Sequence, residues 1–252
     1  MSEAKRGRFH GTMQIVRFNW DFYLAGLVAM VACSLILVFG RLWLPFEVGL
    51  AISLGVSLWW WLGSLVASYW AYDASNLMDW RWLNELATAP PKNWINLHAG
   101  LDESTPQLSA MWGAPSGVYD FYDAFGMTEP SIRRARRLAR NAVQAEPVSY
   151  ENLPAADGSV SIATVCFAAH ELRAEAAREA FFRALFRALA PGGRLIIVEH
   201  LRDGANFIAF GPGFKHFMPR SEWFRLAAAA GFKVVCEVRN TPFVVALVLE
   251  KV

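Results

Sequence analysis

Residues Asn93 to Thr105 read NWINLHAGLDEST. A short, mostly apolar run stops at His98-Ala99-Gly100, and Ser104 then opens a helix-start signature. The pattern predicts a strand over Trp94–Ala99, a tight turn, and a short helix over Ser104–Trp112. This is the outline of a ligand-binding turn, although it carries one glycine where such turns usually carry two or three.

Outward from this stretch, strand and helix signals alternate. Gly117–Tyr122 reads as a strand, Ser131–Ala142 as a basic helix and Val143–Val148 as a short strand. Val160–Ala168 is a buried strand, and Arg173–Leu189 a helix stopped by Pro191-Gly192-Gly193. Arg194–Glu199 is a strand and Ser221–Ala230 a helix closed by Gly231. Phe232–Val238 and Phe243–Leu249 form an antiparallel pair around Asn240-Thr241-Pro242. Such alternation predicts an α/β fold, a mostly parallel sheet covered on both faces.

Upstream the chain changes character. Hydrophobic residues make up 55% of the 252, and the excess is local. Phe22–Gly40 and Val48–Tyr72 carry no charge, and each is long enough for a hydrocarbon core of roughly 30 Å. The linker RLWLPFE between them is too short for a domain, so a transmembrane helical hairpin is expected. The first run is too long for a signal peptide, and a second span follows at once. Lys5, Arg6, Arg8 and Arg17 against Glu3 place the N-terminus in the cytoplasm, and two crossings return the rest of the chain there. An integral inner-membrane location of bacterial type follows. Trp43, Trp59–Trp61 and Trp70 suit interfacial anchors. Ser75–Leu86 reads as a juxtamembrane helix, with Ala89-Pro90-Pro91 as its breaker. The expected division is a cytoplasmic segment 1–21, a hairpin 22–72 (spans about 22–40 and 48–70), a juxtamembrane helix and linker 73–92, and a sheet domain 93–252.

A net charge of +2 argues against a nucleic-acid partner. Cys33, Cys166 and Cys236 lie far apart in apolar runs, match no metal spacing and fit buried thiols. Oligomeric state is not legible.

In open α/β sheets, ligands sit beyond the carboxyl ends of the strands. Four of the five histidines fall there: His98, His170, His200 and His216. Asp102, Glu103, Asp120, Asp123, Glu171, Glu199 and Asp203 join them. For any one residue a solvated rim is the plain reading; the set points to a site.

Residues Leu153–Leu172, LPAADGSVSIATVCFAAHEL, and the later Pro191-Gly192-Gly193-Arg194-Leu195 resemble two sequence blocks of class I S-adenosylmethionine-dependent methyltransferases. HAGLDEST, TEPSIRRAR, AAHELR and EHLRD…NF…FGPGF…HF resemble a membrane-anchored subgroup of that family. The resemblance implies a Rossmann-like seven-stranded sheet with a reversed last strand, and S-adenosyl-L-methionine as cofactor. It places His98, Ala99, Gly100, Asp102 and Glu103 in the cofactor's first loop, before a helix N-terminus with free N–H groups. It places Asp120 or Asp123, with Asp123 preferred, on the ribose. Tyr150 and Glu151 fall near the adenine, and Phe167 follows the fourth strand. The loop is either a rebuilt cofactor site or the remnant of one, which would leave a non-catalytic binding module.

Methyl transfer to oxygen or nitrogen benefits from a general base. His170 is the first candidate, with Glu171 orienting it, followed by His200 and His216. Asn206–Phe217, NFIAFGPGFKHF, is aromatic and low in charge, which suits an apolar acceptor or a packed loop. With the hairpin, it points to a lipidic or amphiphilic acceptor at the bilayer. A metal enzyme built on His98, His170, Glu199, His200 and His216 is a further alternative, but no pair has the helical spacing of a zinc motif. The expected site therefore contains no metal.

Overall fold

The computed structural model describes residues 7–87, 90–138 and 145–252. Lys5, Arg6, Glu3 and Arg140 lie outside the described residues, as do the end of the predicted Ser131–Ala142 helix and the start of the Val143–Val148 strand.

Seven strands form one sheet: β1 (Trp94–His98), β2 (Gly117–Asp120), β3 (Glu146–Pro147), β4 (Val160–Cys166), β5 (Leu189–His200), β6 (Phe232–Thr241) and β7 (Val244–Lys251). Their order is β3-β2-β1-β4-β5-β7-β6. The pairings from β3 to β5 are parallel, and β7 runs antiparallel to both β5 and β6. The sheet is therefore Rossmann-like with a reversed strand, as expected. Pro191-Gly192-Gly193 does not precede β5 but lies within it, where the β4–β5 register shifts between Val160 and Ile162. An irregularity of this kind admits residues that break a regular ladder.

The central strands are buried on both faces, which accounts for their continuous Val/Ile/Leu runs. On one face, α7 (Glu175–Ala188) and α9 (Arg220–Ala230) pack Phe181, Phe182, Leu185, Trp223 and Leu226 against Val165, Leu195, Ile197 and Leu247. Also on that side, α6 (Pro130–Leu138) contributes Ile132. The opposite face is covered by α5 (Thr105–Trp112) and by residues 71–87. Leu77, Met78, Trp80, Leu83 and Leu86 pack there on Ile162, Ile196, Val198 and Val248. The core thus crosses the boundary expected at residue 92.

Residues 75–86 do not form the single helix that their periodicity predicts. A 3-10 turn (Leu77–Asp79) and the short helix α4 (Leu83–Leu86) flank Trp80, which takes a left-handed φ of 59°. That conformation breaks the helix and drops the indole fully into the core, where Trp80 Nε1 donates to the Glu103 carbonyl at 3.0 Å. Burial of a large ring with its N–H satisfied outweighs helix propensity here.

The hairpin consists of α2 (Trp20–Phe39) and α3 (Leu44–Tyr69), the latter continued by a π-helical turn (Trp70–Ala74). Both are long and apolar enough to cross a membrane, and most of their surface is exposed. Tyr23 and Ser64 share a hydrogen bond across them, and Trp61 Nε1 donates to the Tyr23 carbonyl. Preceding them, α1 (His10–Phe18) has its N-terminus capped from a distance. The Asp73 carboxylate accepts from Gly11 N–H at 2.7 Å and from both Thr12 N–H and Oγ1, satisfying donors that a helix start leaves open. The basic face of α6 is not all solvated. Arg134 pairs in a fork with Asp21 at 2.7 and 2.9 Å and also donates to the Phe18 carbonyl, tying α6 to the start of α2.

Candidate functional site

The carboxyl ends of β1, β2, β4 and β5 lie along one edge, and register decides what meets there. His98 at the end of β1 is aligned with Asp120 at the end of β2. His98 Nδ1 accepts from Gly100 N–H at 3.0 Å, so its proton resides on Nε2, which is buried without a partner. Burial pushes the imidazole below its ordinary range, although Asp102 and Asp120 pull the other way. Gly100 has φ +95°, and a Cβ there would collide with the Arg136 side chain. The glycine is thus required twice, by backbone conformation and by close approach.

The N-terminus of α5 is not open. Asp102 Oδ1 accepts from Ser104 N–H at 3.1 Å and Thr105 N–H at 3.0 Å, and from Asn96 Nδ2 at 3.2 Å. The expected free N–H groups are therefore capped by the chain's own aspartate. Asp102 Oδ2 is buried with no partner. Asn96 also binds Ser104, Thr105 and Thr164, which fixes β1, β4 and the loop as one unit.

Of the two candidate ribose acids, Asp120 faces the first loop and Asp123 does not. Asp123 accepts from Phe125 N–H and Gly126 N–H, so its carboxylate closes its own turn. Asp120 Oδ2 receives Arg136 Nη1 at 2.5 Å, while Oδ1 accepts from Tyr122 N–H. The Arg136 guanidinium also lies 4.0 Å from the centre of the Tyr122 ring. Tyr150 and Glu151 occupy a tight turn after β3, with Tyr150 packed on the core and Glu151 exposed. Phe167, directly after β4, holds φ +51° and packs its ring near Tyr72, Trp80 and His200. A cavity of about 40 Å³ remains between Trp80, His98, Leu101, Glu103, Cys166 and Phe167.

Further along the edge, His170 sits in the 3-10 turn after β4. Its Nδ1–H donates to Glu199 Oε2 at 2.7 Å, and its backbone N–H donates to Oε1. Orientation of His170 thus comes from Glu199, one strand over and 1% exposed, and not from Glu171. Glu171 Oε1 is 3.5 Å from the opposite ring nitrogen, and Glu171 Oε2 is buried with no partner. Burial opposes charge on His170, but Glu199 and Glu171 outweigh it and raise the imidazole to about 10. Glu171 is held low: burial pushes it up, and its bond to His170 and the charge there more than offset this.

His216 closes the 3-10 turn Gly211–His216, its Nδ1 2.9 Å from Glu129 Oε2. Arg173 Nη2 lies 2.5 Å from the same nitrogen and 2.7 Å from Glu129 Oε1. Burial and the charge on His170 keep His216 below its ordinary range, while the His216 bond holds Glu129 at about 2. The His170 and His216 rings meet edge to face, 4.9 Å apart.

His200 is not part of this cluster. Its Nδ1–H donates to Phe243 O at 3.0 Å and lies 3.3 Å from Asn206 Oδ1, its Nε2 accepts from Tyr72 at 2.6 Å, and Phe217 stacks on the ring. The residue joins the hairpin's end to the sheet. Burial, reinforced by the charge on His170, lowers it to about 4. The segment expected as a loop, Asn206–Phe217, instead contains α8 (Gly204–Phe210) and the 3-10 turn after it. Asp203 caps α8 by accepting from Asn206 N–H. Both pieces rest on α3: Trp59 Nε1 donates to the Ile208 carbonyl at 3.1 Å, and Trp60 meets Phe207 edge to face. Arg136, Glu129, Arg173, Tyr72 and Trp80 entered no sequence-based site list. Each reaches the edge from an element whose docking is set by tertiary packing, so no local pattern marks it.

Residues 121–197 match the family model described as a methyltransferase domain. A comparison with curated proteins returns no match. Among solved structures, the chain is similar to a SAM-dependent methyltransferase from Aquifex aeolicus, at 20% identity over 64% of this chain and 82% of that one, TM-score 0.48. It is also similar to a Thermotoga maritima protein described as a SAM-dependent methyltransferase, possible histamine N-methyltransferase, at 19% over 76% and 98%, TM-score 0.46. A third is geranyl diphosphate C-methyltransferase from Streptomyces coelicolor, at 15% over 65% and 73%, TM-score 0.46. The match to a methyltransferase-domain model thus covers α6, β3, β4, α7 and most of β5, on a seven-stranded sheet whose β7 is reversed.

Proposed function

We propose that the chain is a membrane-anchored methyltransferase acting on an oxygen or nitrogen atom of a lipidic or amphiphilic small molecule. The observation that carries this reading is the seat of α8 on α3. Phe207 and Ile208, 41% and 59% exposed, project beside the apolar hairpin, on the segment that follows the catalytic edge of β5. A bilayer around α2 and α3 would bring an amphiphile to that segment, and tethering raises its effective concentration. The N-terminus and sheet domain would both be cytoplasmic.

The residues of the first loop fit the cofactor chemically. S-adenosylmethionine supplies an activated methyl group on a sulfonium, beside an ammonium, a carboxylate and a ribose diol. Asp102 Oδ2 is an unpartnered acceptor suited to an ammonium, and His98 Nε2–H an unpartnered donor suited to a carboxylate. Asp120 can accept both ribose hydroxyls, and Gly100 with Ala99 allows backbone approach. Room is a separate matter. The cavity of about 40 Å³ is far below the ~300–1,000 Å³ of a small-molecule site, and Arg136 lies over Gly100. Loading requires Arg136 to leave Asp120.

At the acceptor end, His170, Glu171 and His216 form the polar group of the site. Glu171 Oε2 offers an open lone pair for an acceptor hydroxyl or amine. His170, its proton shared with Glu199, is charged at rest and is a positioning group before it is a base. Tyr150 and Phe167 supply flanking aromatic surface, and His200 and Asp123 serve structure.

The test is to supply methyl-labelled cofactor to membranes with and without the chain. Label should enter an organic-extractable amphiphile only when the chain is present. Label found solely in water-soluble products would overturn the lipidic reading, and no transfer to any fraction would favour a binding module.

A further inference from the structure

His170 and His216 are placed by different elements, the turn after β4 and the turn after α8, yet they share an arrangement. Each ring gives Nδ1 to a carboxylate: His170 to Glu199 at 2.7 Å and His216 to Glu129 at 2.9 Å. The other nitrogen, Nε2, lies 3.5 Å from Glu171 Oε1 in His170 and 3.2 Å from Arg173 Nη2 in His216. Glu171 joins them, and one ligand atom from each of the three residues lies within 4.8 Å of the other two. Imidazoles fixed by a carboxylate on the far nitrogen are the usual outer shell of a metal centre.

A second observation points the same way. Glu171 is 8% exposed, and its Oε2 has no hydrogen-bond partner. An ionised oxygen buried without a partner is costly unless something positive meets it. The charges around the rings are also unbalanced. Glu129, Glu171 and Glu199 carry three negative charges against Arg173 and the His170 imidazolium, and an ion that displaces the proton from His170 Nε2, as ligation requires, meets two uncompensated negative charges.

We propose that His170, Glu171 and His216 bind a divalent first-row transition ion through two imidazole nitrogens and one carboxylate, with Glu199 and Glu129 orienting the rings. Two histidines and one carboxylate suit zinc, and three protein ligands leave a position open, the pattern of a catalytic rather than a structural site. That position would take an oxygen-bearing methyl acceptor, a use that rests on the function proposed above. Ion binding itself does not rest on it. Arg173 Nη2, 3.2 Å from His216 Nε2, opposes the ion and must shift toward Glu129, with which it already pairs.

The experiment uses the full chain in detergent, stripped with a chelator, dialysed against zinc and analysed for metal. Cobalt loaded in parallel is read by its visible absorption. About one equivalent of zinc is expected, with cobalt bands of low-coordinate nitrogen–oxygen ligation. Glu171→Gln, which exchanges an oxygen that has no partner, should keep the thermal midpoint and lose the zinc. His216→Ala should also lose it. Glu129→Gln should weaken binding about ten- to hundredfold, and Arg173→Leu should strengthen it. His10→Ala, remote on α1, should change nothing. Zinc well below one equivalent overturns the proposal, as does full zinc retained in both Glu171→Gln and His216→Ala. Neither readout involves S-adenosylmethionine, so loss of the methyltransferase reading in the labelling assay would leave this result standing, and the reverse holds too.

Discussion

Arg136 reaches from α6 across the mouth of the first loop to Asp120, 2.5 Å away, and its side chain fills the space above Gly100. The acid proposed to hold a ribose is thereby neutralised by the residue that also lies over Gly100. Arg136→Ala should tighten binding of S-adenosylmethionine or its demethylated product, whereas Asp120→Ala should weaken it about tenfold or more, the scale of a lost charge-assisted hydrogen bond. Calorimetric titration separates the two. Weaker binding in Arg136→Ala would mean that the arginine grips the cofactor instead of blocking it.

Asp123 provides the contrast. Among the described residues, its carboxylate accepts from the backbone of its own turn, Phe125 N–H and Gly126 N–H. Asp123→Ala should lower stability by about 1 kcal/mol and leave cofactor affinity within twofold or so. A large affinity loss with an unchanged thermal midpoint would return the ribose role to Asp123.

Gly211 takes φ +54° and lies against the Trp60 ring of α3, so an added Cβ meets both backbone strain and collision. Gly211→Ala should lower the thermal midpoint and loosen α8 from α3, by more than ~1 kcal/mol. Turnover with a membrane-borne acceptor should fall further than cofactor affinity. Equal losses in both would indicate a general defect in folding.

His200 predicts a pH dependence. Its imidazole is lowered from 6.5 to about 4 by burial, so on acidification the unfolded chain takes up this proton before the native chain does. Stability should fall as pH drops from about 6.5 and level off below about 4, by up to roughly 3 kcal/mol from this group. His200→Gln should flatten that part of the profile while starting lower at neutral pH, because the short Tyr72–His200 hydrogen bond is lost. Denaturant midpoints across this range provide the check.

The sheet was legible because its strands announce themselves. Val160–Cys166 and Val244–Lys251 are apolar runs bounded by turn residues, and Gly231 ends α9 in the left-handed conformation expected of a helix stop. The strand-end rule likewise brought His98, Asp120, His170 and His216 to one edge. The pairing among these residues was not legible. Glu199 looked like one rim acid of several, yet the adjacency of β4 and β5 makes it the partner of His170. Trp80 looked like part of an amphipathic helix, because nothing local reveals that a buried ring will impose a left-handed backbone. Asn206–Phe217 read as a loop because Gly211-Pro212-Gly213 interrupts it, while Asp203 supplies a cap that short windows undervalue.

The coverage of one sheet face by residues 71–87 has a practical side. Ala71, Leu77, Trp80 and Leu83 are completely buried on the sheet, soon after the end of the second long helix. Protein made without its greasy stem, beginning near the first strand, would present Ile162, Ile196 and Val248 to water and clump. Any soluble derivative has to keep the neck and sever the chain above it.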